Sequence, residues 1–169
     1  MYTSTVVDNE EHCLEIMTRM EEEYKRQNED FFVRVLKEEP SLVLRVHAVT
    51  ILAELGKEEG VEALSDVLSN DPDPLVRHEA AFSLGQIGSA QGNKALEKAV
   101  KEDRDPIVRH ESAAALGSVG SQSSKETLEY ALNDPDDIVR NSAKASLFNL
   151  KFLEGYSAGA TARERMPRP

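Results

Sequence analysis

The stretch that decides the fold is "PLVRHEAAFSLGQIG", Pro74–Gly88, because it returns 32 residues later as "PIVRHESAAALGSVG", Pro106–Gly120. The same pattern is recognisable, in a less regular form, upstream as "SLVLRVHAVTILAELG" and downstream as "DDIVRNSAKASLFNLK". The chain therefore contains four copies of one unit with a period of 31–32 residues. Such a period is typical of proteins built from stacked helical repeats.

Each copy begins with the signals of a helix. A residue that can cap a helix N-terminus stands at the same place in all four copies: Ser41, Asp73, Asp105 and Asp136. Proline follows at the first helical position in the two central copies. The apolar residues of the second copy recur at intervals of three and four, which indicates a helix: Val76, Ala80, Leu84 and Ile87. Gly88 and Gly120 are suited to the helix C-termini.

A second, shorter helix follows in each full copy, over roughly residues 59–68, 93–101 and 124–132. Antiparallel helix pairs with this period stack into an α-solenoid, because one pair cannot bury its own apolar face. We therefore predict an all-α solenoid of about four helical hairpins over residues 41–154. Residues 1–40 are predicted to form an N-terminal helical cap and residues 155–169 a flexible tail.

Composition limits the classes of function. The 169-residue chain has 31 acidic against 20 basic residues and a formal net charge of −11, which disfavours nucleic-acid binding and favours a cationic ligand or a basic protein partner. Cys13 is the only cysteine, so no intramolecular disulfide can form. The sequence shows no secretory signal and no apolar run of membrane-spanning length, so we expect a cytoplasmic protein.

Two His-Glu pairs stand out within the repeats. His78-Glu79 and His110-Glu111 occupy equivalent positions of the two central copies, whereas the outer copies have "VH" and "NS" there. Equivalent positions of a solenoid line up along one surface, about one helix spacing (~10 Å) apart. The sequence therefore predicts an array of four imidazole and carboxylate side chains, called here the His–Glu cluster.

This donor set is that of non-haem iron, manganese and zinc sites. We predict that His78, Glu79, His110 and Glu111 bind metal. A two-metal carboxylate centre needs about six protein ligands, so one chain supplies about half a site. A two-fold homodimer would bring two such arrays together. The alternative is that duplication copied the pairs, and that they form surface ion pairs on a non-catalytic scaffold that binds a protein partner.

Other recurring residues are interpreted as structural. An arginine present in every copy is expected to bridge the acidic residues of neighbouring repeats: Arg45, Arg77, Arg109 and Arg140. Gly85 and Gly117 indicate close helix approach. We expect His47 to have a structural or solvent role and His12 to be exposed. Cys13 has no CxxC partner, which argues against zinc binding or thiol catalysis.

The segments "VRHEAAFSLGQIG" and "VRHESAAALGSVG", with a copy lacking the motif on either side, resemble one half of deoxyhypusine hydroxylase. That family consists of HEAT-repeat di-iron monooxygenases with four His-Glu pairs in two similar halves. The resemblance covers about residues 41–153. It implies a HEAT-like solenoid whose cluster binds Fe²⁺, two ions per complete site, and uses O₂. The implied substrate is the deoxyhypusine side chain of translation initiation factor 5A, a polycationic group on a protein.

The chain departs from the family in having one half where the enzyme has two. The resemblance therefore implies a site shared between two chains, which agrees with the dimer expected from ligand counting. A non-catalytic HEAT-repeat scaffold stays open as the alternative. Phycobilin lyases share the bare HEAT pattern, but no residue here positively indicates a bilin.

Overall fold

A computed structural model describes the backbone of residues 10–164 and the side chains of residues 10–152, except that of Gln122. All regular structure in this range is helical, which confirms the predicted all-α class. The helices are α1 (Glu10–Lys25), α2 (Glu29–Glu38), α3 (Leu42–Leu55), α4 (Glu58–Asn70), α5 (Pro74–Ile87), α6 (Ala90–Glu102), α7 (Pro106–Val119), α8 (Gln122–Ala131) and α9 (Asp137–Glu164). None of these helices has the length and apolar character needed to cross a membrane.

The predicted caps begin and end the first helix of each repeat. The side chains of Ser41, Asp73 and Asp105 accept hydrogen bonds from backbone N–H groups in the first turns of α3, α5 and α7. Asp136 accepts in the same way just before α9. Gly56, Gly88 and Gly120 follow α3, α5 and α7 with φ of 66°, 68° and 74°, a left-handed conformation that glycine adopts without strain.

The helices form two layers. The first helices α3, α5, α7 and α9 pack side by side in one layer, and the second helices α4, α6 and α8 pack in the other. The core lies between the layers and consists mostly of leucine, valine and alanine: Leu52, Leu64, Leu84, Leu96, Leu116 and Leu128 are at most 1% exposed. Each hairpin therefore shares its core with its neighbours, as the repeat predicts.

Helices α1 and α2 form a further helical pair that covers the first repeat. Helix α1 packs on α2 and α3, and α2 packs on α3 and α4. Met20 and Phe32 are fully buried, and four further residues of α1 pack against the same core: Cys13, Ile16, Met17 and Tyr24. Residues 1–9 of the predicted cap lie outside the described part of the chain.

The recurring arginines bind neighbouring turns together. The side chains of Arg45, Arg77 and Arg109 donate through Nε, at 2.8–2.9 Å, to an aspartate 25–26 residues further on. We call these pairs the Arg–Asp ladder: Arg45–Asp71, Arg77–Asp103 and Arg109–Asp134. Each guanidinium also donates through Nη1 to a backbone carbonyl of the preceding turn. The predicted bridging role is confirmed for Arg45, Arg77 and Arg109. Arg140 differs, because it pairs with Asp137 of its own helix and donates to the backbone carbonyl of Asp134.

Glycine allows the first helices to approach closely, as expected. A Cβ added to Gly85 would lie 2.6 Å from Cβ of Ala115 in α7, and one added to Gly117 would lie 2.4 Å from Oγ of Ser146 in α9. Both distances are shorter than any normal contact. The equivalent position in α9 holds Phe148, which is 76% exposed.

The C-terminal part differs from the sequence-based expectation. A flexible tail was predicted from residue 155, whereas α9 continues without a break to Glu164. The segment contains no proline before residue 167 and several good helix formers, so nothing in it stops the helix. Residues 165–169 of the predicted tail lie outside the described part of the chain.

Candidate functional site

The His–Glu cluster lies on the second turn of the two central first helices. Asp73 and Asp105 cap α5 and α7 and fix where each helix begins. His78 and Glu79 on α5, like His110 and Glu111 on α7, are partly exposed. Helices α5 and α7 have the same N-cap residue, the same first proline and the same length. The two dipeptides therefore lie at equivalent positions along their helices.

Within each dipeptide the two side chains point in different directions. Successive residues of an α-helix are rotated by about 100°, so the histidine faces the following repeat and the glutamate faces the preceding one. Nε2 of His78 accordingly lies 3.4 Å from Oε2 of Glu111 on the next repeat. The closest imidazole–carboxylate contact of the cluster therefore joins two repeats.

His78 also carries an unsatisfied nitrogen. Its Nδ1 lies 3.5 Å from Oε1 of Glu79, which is too long for a good hydrogen bond. This Nδ1 atom is shielded from solvent and has no hydrogen-bond partner among the described residues. A buried imidazole nitrogen without a partner is costly unless something else binds it.

His110 has a different neighbour because the fourth repeat lacks the glutamate. Its Nδ1 lies 2.5 Å from the hydroxyl of Ser142, which occupies in α9 the position that Glu111 occupies in α7. A hydrogen bond at one ring nitrogen fixes the orientation of the ring, as is usual for histidines that bind metal through the other nitrogen. Nε2 of His110 is therefore the nitrogen that remains for a ligand.

The structure brings His78, Glu79 and Glu111 together and places His110 in a separate contact with Ser142. Within the described residues, no group of three or more His, Cys, Asp or Glu side chains is arranged to hold a metal ion. The donors fit a non-haem metal in kind, since they combine imidazoles with carboxylates and include an unsatisfied nitrogen. In number they fall short of a complete site within one chain, and metal binding by the cluster stays a prediction.

The remaining candidates lie away from the cluster or at its edge. His47 is exposed, and His12 is exposed with Nε2 3.0 Å from a carboxylate oxygen of Glu39. The thiol of Cys13 lies 3.8 Å from the hydroxyl of Ser41 and is partly buried. The exposure of His47 and His12 agrees with the expectations for these two residues.

Sequence reasoning missed two features next to the cluster. One is Ser142, which could have been found by asking what lies 32 residues after His110. The other is an exposed apolar residue at the second position of every first helix, called here the aliphatic row: Val43, Leu75, Ile107 and Ile138. Phe82, two turns along α5 from Leu75, is also 46% exposed. The signal for the row is its recurrence with the repeat period.

Comparison with known proteins supports the repeat architecture. Residues 29–114 and 61–147 match the family described as HEAT repeats. A comparison with curated proteins finds no match. Among solved structures, human deoxyhypusine hydroxylase is similar over 75% of this chain, with 28% sequence identity and a TM-score of 0.69.

Two further solved structures are similar. An engineered protein matches 73% of the chain and 62% of its own length, with 26% identity and a TM-score of 0.53. The phycocyanin lyase complex of CpcE and CpcF from Nostoc sp. matches 73% of the chain and 65% of its own length, with 18% identity and a TM-score of 0.49. The chain spans 44% of the length of the human hydroxylase, slightly less than half.

Proposed function

The chain belongs to the HEAT-repeat family, and we propose that it supplies one half of a di-iron monooxygenase of the deoxyhypusine hydroxylase type. The proposed reaction hydroxylates the deoxyhypusine side chain of translation initiation factor 5A, with O₂ as the oxidant. A second copy of the chain completes the site. The 28% identity to the human enzyme, over less than half of that enzyme, supports the proposal.

The observation that carries the proposal is the contact of His78 with Glu111 across two repeats. A pair within one dipeptide would be an ordinary surface feature. A contact at 3.4 Å between neighbouring repeats instead gathers imidazole and carboxylate donors at one place on the first-helix layer. Nδ1 of His78, buried and without a hydrogen-bond partner among the described residues, supports the proposal because it leaves a nitrogen donor for a ligand.

Each residue of the cluster has a definite part in the proposed site. His78 and His110 would bind iron as neutral imidazoles, and Glu79 and Glu111 would bind it as carboxylates that balance the charge of the ions. Ser142 orients His110 through its hydroxyl. Bound iron would supply the activation of O₂, whereas the chain's own residues hold the ions and the substrate.

One chain offers too few metal ligands for a di-iron centre, so the proposed site needs a second copy of the chain. Two histidines and two glutamates from one chain are fewer than the six or so ligands of a carboxylate-bridged di-iron centre. A two-fold axis through the cluster would double them and use the same surface of both copies. The deoxyhypusine side chain is a polycation, which suits a chain of net charge −11.

The test combines metal analysis with molecular mass on one sample. Protein reconstituted with Fe²⁺ without oxygen should form a dimer with about two irons, and its visible spectrum should change on exposure to O₂. His78→Ala/His110→Ala should lose the iron and keep its helical content, because both side chains are only partly buried. His47→Ala, an exposed histidine of an outer repeat, is the matched control and should keep the iron.

A non-catalytic scaffold is the second candidate. It is favoured by the lack, within the described residues, of any three-residue group able to hold a metal. On this alternative the protein stays metal-free when incubated with Fe²⁺, and His78→Ala/His110→Ala leaves its mass and partner binding unchanged. Iron-free, monomeric wild-type protein in the experiment above would therefore reject the hydroxylase.

A further inference from the structure

The aliphatic row is not explained by the His–Glu cluster. Val43, Leu75, Ile107 and Ile138 are 50%, 48%, 44% and 37% exposed, and each is the second residue of its helix. The row continues through the outer repeats, which lack the His-Glu pair. A branched apolar side chain with more than a third of its surface exposed recurs in every repeat, which points to a role at the surface.

Stacking turns these four residues into one strip. Each first helix packs against the next, and packed helices lie about 8–10 Å apart. The row therefore runs across the solenoid for roughly 24–30 Å. Contiguous apolar surface of this kind marks a place where another molecule binds.

The row is bordered by negative charge. Asp73, Asp105 and Asp136 cap the same helices, and each accepts a hydrogen bond from the backbone N–H of a residue of the row. The other aspartates of these turns are already paired in the Arg–Asp ladder. Within residues 71–73, 103–105 and 132–136 the only base is Arg104, which donates to the carbonyl of Pro72.

The negative charge beside the row distinguishes between the two kinds of molecule that could bind there, a second copy of the chain and a basic partner. A second copy whose own row lay on this one would place the aspartates of the two copies against each other, and like charges at an interface are unfavourable. The proposed dimer is therefore expected to join the copies through the His–Glu cluster and not through the row. A positively charged partner gains from the same carboxylates. We propose that the aliphatic row is the docking surface for a basic polypeptide that carries an aliphatic side chain at about every third residue.

The spacing follows from chain geometry. In an extended, left-handed polyproline-type conformation every third residue faces the same side, and three residues span about 9 Å. That distance matches the spacing of neighbouring first helices, about 8–10 Å. Basic residues between the aliphatic ones then face the carboxylates of the caps.

The row also lies close to the cluster. His78 follows Leu75 by three residues and His110 follows Ile107 by three, which is about 4.5 Å along each helix axis. A polypeptide held on the row would thus have its neighbouring side chains within reach of the cluster. That this polypeptide is the protein substrate rests on the proposed function, whereas the docking itself does not.

The test uses a fluorescein-labelled peptide of four Leu-Lys-Lys units and fluorescence anisotropy with the full, metal-free chain. We expect Leu75→Ser/Ile107→Ser to bind it at least tenfold more weakly than wild type. Both residues are exposed, so circular dichroism and the melting temperature should be unchanged. Phe152→Ser is the matched control, because Phe152 is 63% exposed and lies 14 residues after Ile138 on α9, about 21 Å along the helix axis.

Two further peptides separate the apolar from the charged contribution. Peptides of four Gly-Lys-Lys units and of four Leu-Glu-Glu units should each bind wild type at least tenfold more weakly than the Leu-Lys-Lys peptide. Equal binding of the glycine peptide would show attraction by charge alone and overturn the role of the row. Failure of wild type to bind the Leu-Lys-Lys peptide would overturn the proposal altogether.

The remaining controls distinguish this proposal from the proposed enzyme activity. His78→Ala/His110→Ala should bind the peptide as wild type does even if it binds no iron. If instead Leu75→Ser/Ile107→Ser converts a dimer to a monomer and leaves peptide binding unaltered, the row is an interface between copies and the proposal is wrong.

Discussion

The absence of a Cβ atom at Gly117 allows helices α7 and α9 to pack closely. Gly117 lets α9 approach α7 because it has no side chain, and the Cα of Ser146 lies only 2.9 Å from where a Cβ would be. Backbone atoms cannot rotate away as a long side chain can. The glycine is therefore a requirement of the stacking and not of the local helix conformation.

We expect Gly117→Ala to lower the free energy of unfolding by about 1–3 kcal/mol, the usual cost of overpacking. Gly60→Ala in α4 is the control, because its added Cβ would meet nothing closer than 3.4 Å. There the better helix propensity of alanine should leave stability unchanged or raise it by up to ~1 kcal/mol. Urea denaturation of both variants measures the difference, and equal effects would contradict the steric explanation.

Glu29 provides a second prediction at this scale. Burial raises the pKa of its carboxyl above the usual 4.5, although Lys57 lies 3.9 Å away and opposes the shift. One carboxylate oxygen is buried without a hydrogen-bond partner among the described residues. A raised folded-state pKa favours folding at low pH, and this contribution is lost as the pH rises through that pKa.

Glu29→Gln removes the ionisation and should therefore be more stable than wild type at pH 7, with the difference shrinking as the pH falls towards 4. Melting temperatures across this pH range measure it. Asp30→Asn, on the exposed neighbouring residue, is the control and should show no such trend. A difference that grows towards acid pH would contradict the assignment.

At the scale of the element, the Arg–Asp ladder joins each first helix to two turns. Arg77 donates to the side chain of Asp103 and to the backbone carbonyl of Asp71, so it fixes the turns before and after its own repeat. The hydrogen bonds that Arg77 donates to Asp103 raise the pKa of the guanidinium despite its burial, which keeps it charged. The ladder thus sets the spacing of the repeats independently of the apolar core.

Asp103→Ala should destabilise the protein strongly, by about 3–5 kcal/mol, because it leaves the buried charge of Arg77 without its carboxylate. The side chains of Arg77 and Asp103 are 4% and 8% exposed. Asp137→Ala is the control, since the Asp137 side chain that pairs with Arg140 is 87% exposed. Its loss should change stability by less than about 0.5 kcal/mol in the same denaturation experiment.

The elements were largely predictable from the sequence because their signals are local. Capping residues, Pro74 and Gly88 fixed the bounds of α5 to within a residue, and the repeat carried that assignment to its neighbours. The contacts between repeats were not predictable in the same way. The repeat predicted an array of four side chains across two repeats, but it did not predict that the carboxylate closest to His78 is that of Glu111 on the next repeat.

The fate of His110 shows why the site was harder to predict than the fold. The hydrogen-bond partner of its imidazole is Ser142, which lies 32 residues further on in a repeat that lacks the His-Glu motif. The extension of α9 beyond residue 155 was missed for the opposite reason. Low apolar content there suggested a tail, but three alanines, an arginine and a glutamate favour a helix, and α9 continues through Gly155 and Gly159.

At the scale of the whole molecule, each repeat contacts only its neighbours. Stability is then close to a sum of terms for repeats and for the interfaces between them. A change at one interface should affect the adjoining helices most and distant ones least.

Hydrogen exchange of Gly117→Ala tests this locality. Protection of backbone amides should fall in α7 and α9 and stay near the wild-type level in α2, α3 and α4, as long as the protein remains folded. Exchange followed by mass spectrometry resolves these helices. A uniform loss of protection along the chain would show that the solenoid unfolds as one cooperative unit.

The phenylalanine that replaces glycine in α9 has a consequence for how such a chain can lengthen. Phe148 stands where Gly85 and Gly117 admit the next helix, so a copy of this repeat added after α9 could not be seated in the same manner. A further first helix could pack on α9 in the same arrangement only if Phe148 were replaced by a small residue.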